Sequence, residues 1–366
     1  MYGLKQSGRA WYKCLSAAIN KIGFTKSKYD AVVFYRHNGT GFAIIAIAVD
    51  NLTMTATNDN IIYEIKADLM EIFKMKDLGK LHWLLNLKIE QDKTSKLIRF
   101  SQEAYSDKMM NRFHLEDSKT HITPLAPNIR LTKDQCSSTD SEKATMSKIP
   151  YREAIRSLMW AAVATQPDIA FAVSLLSQFL ENPKEIHWKA VKRVMRYLNG
   201  TKNYKLTLRR NHDSLLGYAD PDWASQDHRH SISAYIFQMD GGSISWSCQK
   251  QNIVALLSTE AKFIALTHVT KEALWLQNFI TEVIQPLKSP IRLYSDNQSA
   301  IKIAYGNQQH MRTKRFDIRL YFLHNTIENS QITIQYLPTD QMLADILTKG
   351  LPGPKVKSLV DKLGIY

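Results

Sequence analysis

From about residue 210 the chain changes rhythm, and the order of elements in its apolar pattern leaves few folds open. Residues 215–219 and 231–239 read as short strands, and after an Asp240-Gly241-Gly242 turn Ile244, Trp246 and Cys248 alternate along a third. Ser-Thr-Glu at 258–260 opens a helix that runs to about residue 283, with Ser258 as its N-cap. A strand over 291–295 follows, then helical stretches over 297–305 and 312–328. Ile332, Ile334 and Tyr336 alternate along a last strand, and a helix covers about 340–349. Three antiparallel strands, helix, strand, helical connection, strand, helix is the order of a mixed α/β domain of the α+β kind.

Four carboxylates fall at element ends in this region. Asp220 ends the first strand in Gly-Tyr-Ala-Asp-Pro-Asp-Trp, and Glu260 lies in the first turn of the long helix in Leu-Ser-Thr-Glu-Ala. Asp296 ends the fourth strand in Leu-Tyr-Ser-Asp-Asn-Gln-Ser, and Asp345 lies in the last helix in Gln-Met-Leu-Ala-Asp-Ile-Leu-Thr-Lys. Any one of them alone reads as a turn or cap residue. Adjacent central strands can nevertheless bring Asp220 and Asp296 together, while two helices crossing the sheet deliver Glu260 and Asp345. Clustered carboxylates repel unless a cation sits among them, and hard oxygen ligands select Mg²⁺ or Mn²⁺. Two such ions about 4 Å apart can activate water and stabilise the leaving oxygen in phosphodiester hydrolysis.

The preceding residues follow other patterns. Residues 1–115 mix helix and strand: Ala10, Trp11, Leu15, Ala18 and Ile22 share a helical face over 4–22. Strands over 31–35 and 42–49 flank His37-Asn38-Gly39-Thr40, a hairpin signal, and a second short pair is expected near 83–89 and 97–100. Residues 114–150 are polar, with Thr123-Pro124, Ala126-Pro127 and a Ser/Thr/Asp-rich stretch, and read as a linker or long surface loop. Residues 150–205 read as helical, with Trp188, Val191, Met195 and Leu198 as a core stripe. Beside it run Lys189, Lys192, Arg193 and Arg196. Such a stripe is either a solvated helix face or a track for a phosphate backbone; taken alone it favours the solvated face.

Composition narrows the classes. With 366 residues there is room for two or three domains, and 44% hydrophobic residues suffice to bury cores. Lys plus Arg number 48 against 34 for Asp plus Glu, a net +14, which suits a polyanionic partner. Charge alone does not separate nucleic acid from an anionic membrane or from simple solubility. The longest apolar run, 42–49, is far short of the roughly 20 residues that span a bilayer, and no secretory leader is evident. Three distant cysteines, Cys14, Cys136 and Cys248, make neither a disulfide framework nor a metal knuckle. The expectation is an intracellular, reduced setting, cytoplasmic and nuclear residence being equally open, with no membrane partner. Oligomeric state is not legible.

The strings quoted around Asp220, Glu260, Asp296 and Asp345, with Ile-Ser-Trp-Ser-Cys-Gln-Lys-Gln at 244–251, resemble the ribonuclease H domain of copia-type long-terminal-repeat retrotransposon Pol proteins. The resemblance implies a five-stranded mixed sheet flanked by helices, and a metal-binding quartet of Asp220, Glu260, Asp296 and Asp345, with Asp222 as the rival for the first position. It also implies two Mg²⁺ or Mn²⁺ ions and endonuclease cleavage of the RNA strand of an RNA–DNA hybrid. The opening Met-Tyr-Gly-Leu-Lys-Gln-Ser-Gly-Arg-Ala-Trp-Tyr is similar to the reverse transcriptase palm of the same polyprotein. Tyr151-Arg152, Thr165 to Ile169, His187-Trp188 and Tyr197 to Thr201 resemble its thumb and connecting segment. On this reading the domains are a truncated palm at 1–115, a linker and helical thumb or connection at 116–205, and a ribonuclease H-like domain at 206–366.

Departures from the family pattern carry their own expectations. The polymerase's Tyr-Val-Asp-Asp hairpin is here Ala48-Val49-Asp50-Asn51, so Asp50 keeps one carboxylate while Asn51 replaces the other with a neutral amide. The earlier palm carboxylate would precede residue 1, so Met1 reads as an internal start within a degenerate element. One carboxylate cannot organise two metals, and polymerase activity is expected to be lost. Asn86 and Arg156 stand at usual Gly positions, Gln166 at a usual Arg, and Arg315 and Tyr321 where His is frequent. No His lies between Tyr336 and Asp345 to assist product release, and His310 competes for that role with a plain surface-loop reading. Trp223, Trp246 and Trp275 read as core rather than base-stacking platforms, and Lys250, Lys262, Lys314 and Arg319 as contacts to hybrid backbone. Two rival readings stand: a non-catalytic nucleic-acid-binding remnant, and a chain without a role because strands such as 44–49 lack sheet neighbours.

Overall fold

The hairpin signal near residue 38 is realised: strand β2 meets β3 with Asn38 opposite Gly41. In the computed structural model the described residues are 6–39, 41–127, 129–211, 214–222, 230–251, 258–306 and 317–366. They fall into two units, residues 1–81 with 272–289, and residues 82–271 with 290–366.

The first unit begins with helix α1 (Ser7–Lys21), followed by β1 (Thr25–Lys26), β2 (Val33–Asn38), β3 (Gly41–Ala48), β4 (Asn51–Ala56) and α2 (Asp59–Ile72). The strands form an antiparallel sheet in the order β1-β2-β3-β4. Alternation along β3 sends Ala43, Ile45 and Ile47 inward, where they join Leu15 and Ile19 of α1 and Ile61, Ile65 and Leu69 of α2 in one core. The Asn58 side chain caps α2 by accepting from Ile61 N at 3.0 Å. Neither β4 nor α2 was marked by the sequence patterns above. In this unit Ser27 Oγ donates to Glu282 Oε2 at 2.6 Å and Trp275 Nε1 to the Tyr29 carbonyl at 3.2 Å.

The second unit opens with β5 (Trp83–Leu84), β6 (Leu87–Asp92), β7 (Leu97–Ser101) and α3 (Glu103–Arg112). Asn86 lies in the two-residue turn between β5 and β6 at φ 64°. This is a left-handed position that suits glycine, and Asn tolerates it better than most residues. The expected linker is only partly one. It carries α4 (Asp140–Ser147), and Leu115, Leu125 and Leu131 are buried in the same core as the helices that follow. Its polar composition hid three apolar anchors. Helices α5 (Tyr151–Ala164), α6 (Ala170–Ser177) and α7 (Glu185–Gly200) come next, and Val191, Met195 and Leu198 are fully buried on α7 as their spacing requires. Strand β8 (Leu206–Arg209), unexpected from the sequence, completes a sheet in the order β5-β6-β7-β8.

The remaining elements are β9 (Leu216–Asp222), β10 (Ile232–Met239), β11 (Gly242–Lys250), α8 (Ser258–Val283), β12 (Ile291–Ser295), α9 (Gln298–Tyr305), α10 (Asp317–Glu328), β13 (Ile332–Tyr336) and α11 (Gly353–Lys362). Their five-stranded sheet has the order β11-β10-β9-β12-β13, with β9 to β11 antiparallel and β12 and β13 parallel to β9. This is the mixed sheet that the resemblance implied. Asp240 and Gly241 take positive φ in the β10–β11 turn, as a two-residue hairpin loop demands. The helix expected over 340–349 is instead two 3₁₀ turns, Thr339–Gln341 and Leu343–Leu347. Its apolar residues Leu343, Ile346 and Leu347 join the core formed by α5–α7 and by Ile232, Ala234 and Ile236 of β10. Tight packing on two layers favours the narrower turn over a full α-helix, and helical periodicity cannot discriminate over so few residues.

Candidate active site

The centre of the sheet decides which carboxylates meet. β9 and β12 run parallel with Tyr218 opposite Tyr294, and their rings stack with centroids 5.2 Å apart. Asp220 and Asp296 each lie two residues beyond that pair, so both point to the same face of the sheet at adjacent strand ends. Gly217 makes the close approach of strands feasible: a Cβ there would stand 2.5 Å from Leu293 Cδ2 and 2.8 Å from Phe237 Cε1. Asp345 arrives on the Leu343–Leu347 turn, which packs against β9 and β10.

Electrostatics register the convergence. Burial pushes the Asp220 carboxyl up to about 7, and the charges of Asp345 and Asp296 add to the rise while Lys349 and a hydrogen bond from Thr348 oppose it. Asp220 and Asp345 are each 3% exposed. Thr348 Oγ1 lies 2.9 Å from Asp220 Oδ2 and 3.1 Å from the Asp345 carbonyl, so its single proton serves one of them at a time. Lys349 Nζ is 2.8 Å from Asp345 Oδ1, an ion pair to a buried carboxylate oxygen. Burial works against the Lys349 ammonium, yet Asp220 and Asp345 hold its pKa above the ordinary lysine value, with Asp222 contributing. Asp296 accepts from Lys262 Nζ at 2.7 Å and from Thr339 Oγ1 at 3.0 Å.

Glu260 occupies the third residue of α8 and is half-buried. Gln251 Nε2 ties this helix end to the sheet, donating to Ser233 Oγ at 2.7 Å and to the Ala261 carbonyl at 3.0 Å. Ser233 neighbours Ala234, the residue paired with Asp220 on β10. Asp222 ends β9 two residues past Asp220, half-buried, within electrostatic range of Lys349. The acidic oxygens suit a hard divalent cation by chemistry. Among the described residues, however, no group of three or more His, Cys, Asp or Glu side chains already stands in metal-ligating geometry. Thr348, Lys349 and Thr339 had no role in the sequence reading; the i,i+4 spacing of Asp345 and Lys349 was the one available signal. Lys262, expected against hybrid backbone, is paired with Asp296.

Asp50 and Asn51 lie at the tip of the β3–β4 hairpin, where Ala48 pairs with Asn51 across the loop residues Val49 and Asp50. Both are exposed, and Val49 sits at φ 57° with its carbonyl accepting from Trp11 Nε1 at 3.2 Å. On α7 the basic stripe is divided. Lys189 is exposed and paired with Glu185 at 2.8 Å, and Lys192 lies over the Trp188 ring at 5.9 Å. Arg193 donates to Thr123 Oγ1 at 2.8 Å, and the Nε atoms of Arg193 and Arg196 are buried without a hydrogen-bond partner. Trp246 is half-buried with Nε1 donating to the Ala162 carbonyl at 2.8 Å, and Trp275 stacks on Phe279 at 5.4 Å. Gln166 is buried, Arg156 and Tyr321 are exposed, Arg319 is half-buried, and Lys250 Nζ lies 3.5 Å from Gln178 Oε1. Trp223, His310, Lys314, Arg315 and the Ser258 side chain fall outside the described residues.

The sheet order and the helices around it make this a mixed α+β protein whose C-terminal part is a five-stranded mixed sheet flanked by helices. The chain belongs to the copia-type retrotransposon Pol family. The family described as reverse transcriptase (RNA-dependent DNA polymerase) matches residues 1–127. The retrovirus-related Pol polyprotein from transposon TNT 1-94 of Nicotiana tabacum is 37% identical over 368 residues, covering 100% of this chain and 28% of the relative. A putative transposon Ty5-1 protein of Saccharomyces cerevisiae is 31% identical over 279 residues, 74% of this chain and 87% of the relative. The chain spans about a quarter of the length of the long Pol polyproteins it matches. Among solved structures, LC11-RNase H1 in complex with an RNA/DNA hybrid aligns over 37% of this chain and 94% of that one, at 11% identity and a TM-score of 0.29. Among the described residues no helix is long and apolar enough to cross a membrane.

Proposed function

We propose that residues 206–366 form a divalent-metal-dependent endonuclease of the ribonuclease H type, cutting the RNA strand of an RNA–DNA hybrid. Residues 1–115 and 116–205 serve as palm-derived and connecting segments that do not polymerise. The observation that supports this reading is the parallel pairing of Tyr218 with Tyr294, two residues before Asp220 and Asp296, together with the Asp345 and Asp296 charges that act on Asp220. Asp220, Glu260, Asp296 and Asp345 would hold two Mg²⁺ or Mn²⁺ ions, with Asp222 the alternative to Asp220. When bound, the ions supply a water nucleophile of lowered pKa and stabilise the leaving oxygen. The protein's own part is to fix the carboxylates. Thr348 and Thr339 orient Asp220 and Asp296, and Gln251 holds the first turn of α8 against the sheet. The exposed Lys189 and half-exposed Lys192 are the members of the α7 stripe open to a phosphate backbone.

Loss of polymerase activity is inferred from the β3–β4 hairpin, which presents one carboxylate, Asp50, beside the amide of Asn51. The test is cleavage of an end-labelled hybrid by the full chain with Mg²⁺, with Mn²⁺ and with chelator. Cleavage is expected only with metal and should fall at least about a hundredfold in Asp296→Asn, the scale of removing a principal electrostatic group. Unchanged cleavage in that variant refutes the site. Salt-sensitive retention of the hybrid with no cleavage under any metal supports the second reading, a nucleic-acid-binding remnant, which the net charge of +14 favours.

A further inference from the structure

Two ammonium groups stand inside the carboxylate cluster. Lys262 reaches from the first turns of α8 to Asp296 at 2.7 Å, with the two side chains 18% and 7% exposed. Lys349 reaches Asp345 at 2.8 Å, with side-chain exposures of 38% and 4%, and faces Asp220 and Asp222. An ordinary surface lysine extends into water. Turning two inward costs rotamer freedom and hydration, which only a strong opposing charge offsets. The charge count is informative: the carboxylates of Asp220, Glu260, Asp296 and Asp345, all ionised, carry −4, two ammoniums bring the cluster to −2, and two divalent ions alone would bring it to zero. With lysines and both ions present together the cluster would carry +2. Ammoniums and ions therefore compete for the same oxygens.

We propose that Lys262 and Lys349 are internal counter-ions of this cluster, keeping it assembled without metal and swinging out when divalent ions bind. They thereby set the metal concentration at which the site loads. The inference rests on the metal-site reading above and adds to it a built-in competitor. The lysines' four-carbon stems let the displaced ammoniums move to the rim, where they become available to the phosphates of a bound strand.

The test uses the full chain without nucleic acid, with free Mn²⁺ followed by electron paramagnetic resonance. Mn²⁺ is expected to bind about tenfold or more tightly to Lys262→Met/Lys349→Met than to the parent, because a competing buried cation is gone. In chelator the double variant should melt at a lower temperature than the parent, and saturating Mn²⁺ should close that gap. A second measurement needs no variant. Acetylation of Lys262 and Lys349, read by mass spectrometry in the parent chain, should rise severalfold on adding Mg²⁺ relative to chelator. Equal Mn²⁺ affinity in parent and double variant, with Asp345→Asn weakening both, overturns the counter-ion role and leaves the metal site standing. Unchanged lysine acetylation in a chain that binds Mn²⁺ overturns it equally. Absence of Mn²⁺ binding in both parent and double variant, or binding indifferent to Asp345→Asn, overturns the metal site itself and the inference with it.

Discussion

Asp168, in the Thr-Gln-Pro-Asp-Ile string, lies on a 3₁₀ turn (Pro167–Ile169) packed against the turn that carries Asp345. It is 1% exposed and accepts from Tyr197 OH at 2.5 Å. Burial pushes its carboxyl up to about 6, only partly offset by Tyr197 and nearby backbone amides. A rise from the ordinary 3.8 to about 6 corresponds to about 3 kcal/mol of destabilisation when the group is ionised. The sign follows from proton binding. Below pH 3.8 both folded and unfolded chains hold the proton, and Asp168 contributes nothing. Between 3.8 and 6 the folded chain keeps a proton that the unfolded chain has lost, so stability falls as pH rises; above 6 the full cost is present. Asp168→Asn keeps the shape and an acceptor for Tyr197 but cannot ionise. The variant should match the parent near pH 4 and exceed it by up to about 3 kcal/mol at pH 8. Urea unfolding at intervals from pH 4 to 8, followed by tryptophan fluorescence, measures the difference. A gap that stays constant with pH, or an Asn variant weaker than the parent at pH 8, refutes the claim that a buried ionised carboxylate sits there.

Other outcomes follow from close contacts and strained backbone. Gly217→Ala should destabilise the second unit by about 1–3 kcal/mol, because its methyl would collide with Leu293 and Phe237. Hydrogen exchange at β9 and β12 reads that loss, and protection equal to the parent's counts against the packing. Val49 holds a β-branched side chain at φ 57°, so Val49→Asn should stabilise the β3–β4 hairpin by about 1 kcal/mol. Slower amide exchange in β3 and β4 is the expected result, and faster exchange would argue against strain at that residue.

Much of the C-terminal architecture was legible because its signals are local. Strands 291–295 and 332–336 alternate cleanly, Asp240-Gly241 can close only a tight hairpin, and Ser-Thr-Glu at 258–260 marks the start of the long helix. Failures occurred where burial came from distant chain. Leu125 and Leu131 looked like loop residues until α5–α7 covered them, β8 is a strand only because β7 pairs with it, and residues 340–349 wind into 3₁₀ turns because two layers press on them.

The site divides along the same line. The residue types and their places at strand and helix ends fixed which carboxylates were candidates, since a side chain's chemistry and its position on an element are properties of short sequence. That Tyr218 and Tyr294 stack in register, setting Asp220 beside Asp296, and that Lys262 and Lys349 turn inward to meet them, depends on strand order and on packing between segments more than a hundred residues apart for the 220–345 contacts. Long-range electrostatics is a property of the folded arrangement alone: a lysine's sequence neighbourhood does not say whether its ammonium will face water or a buried acid.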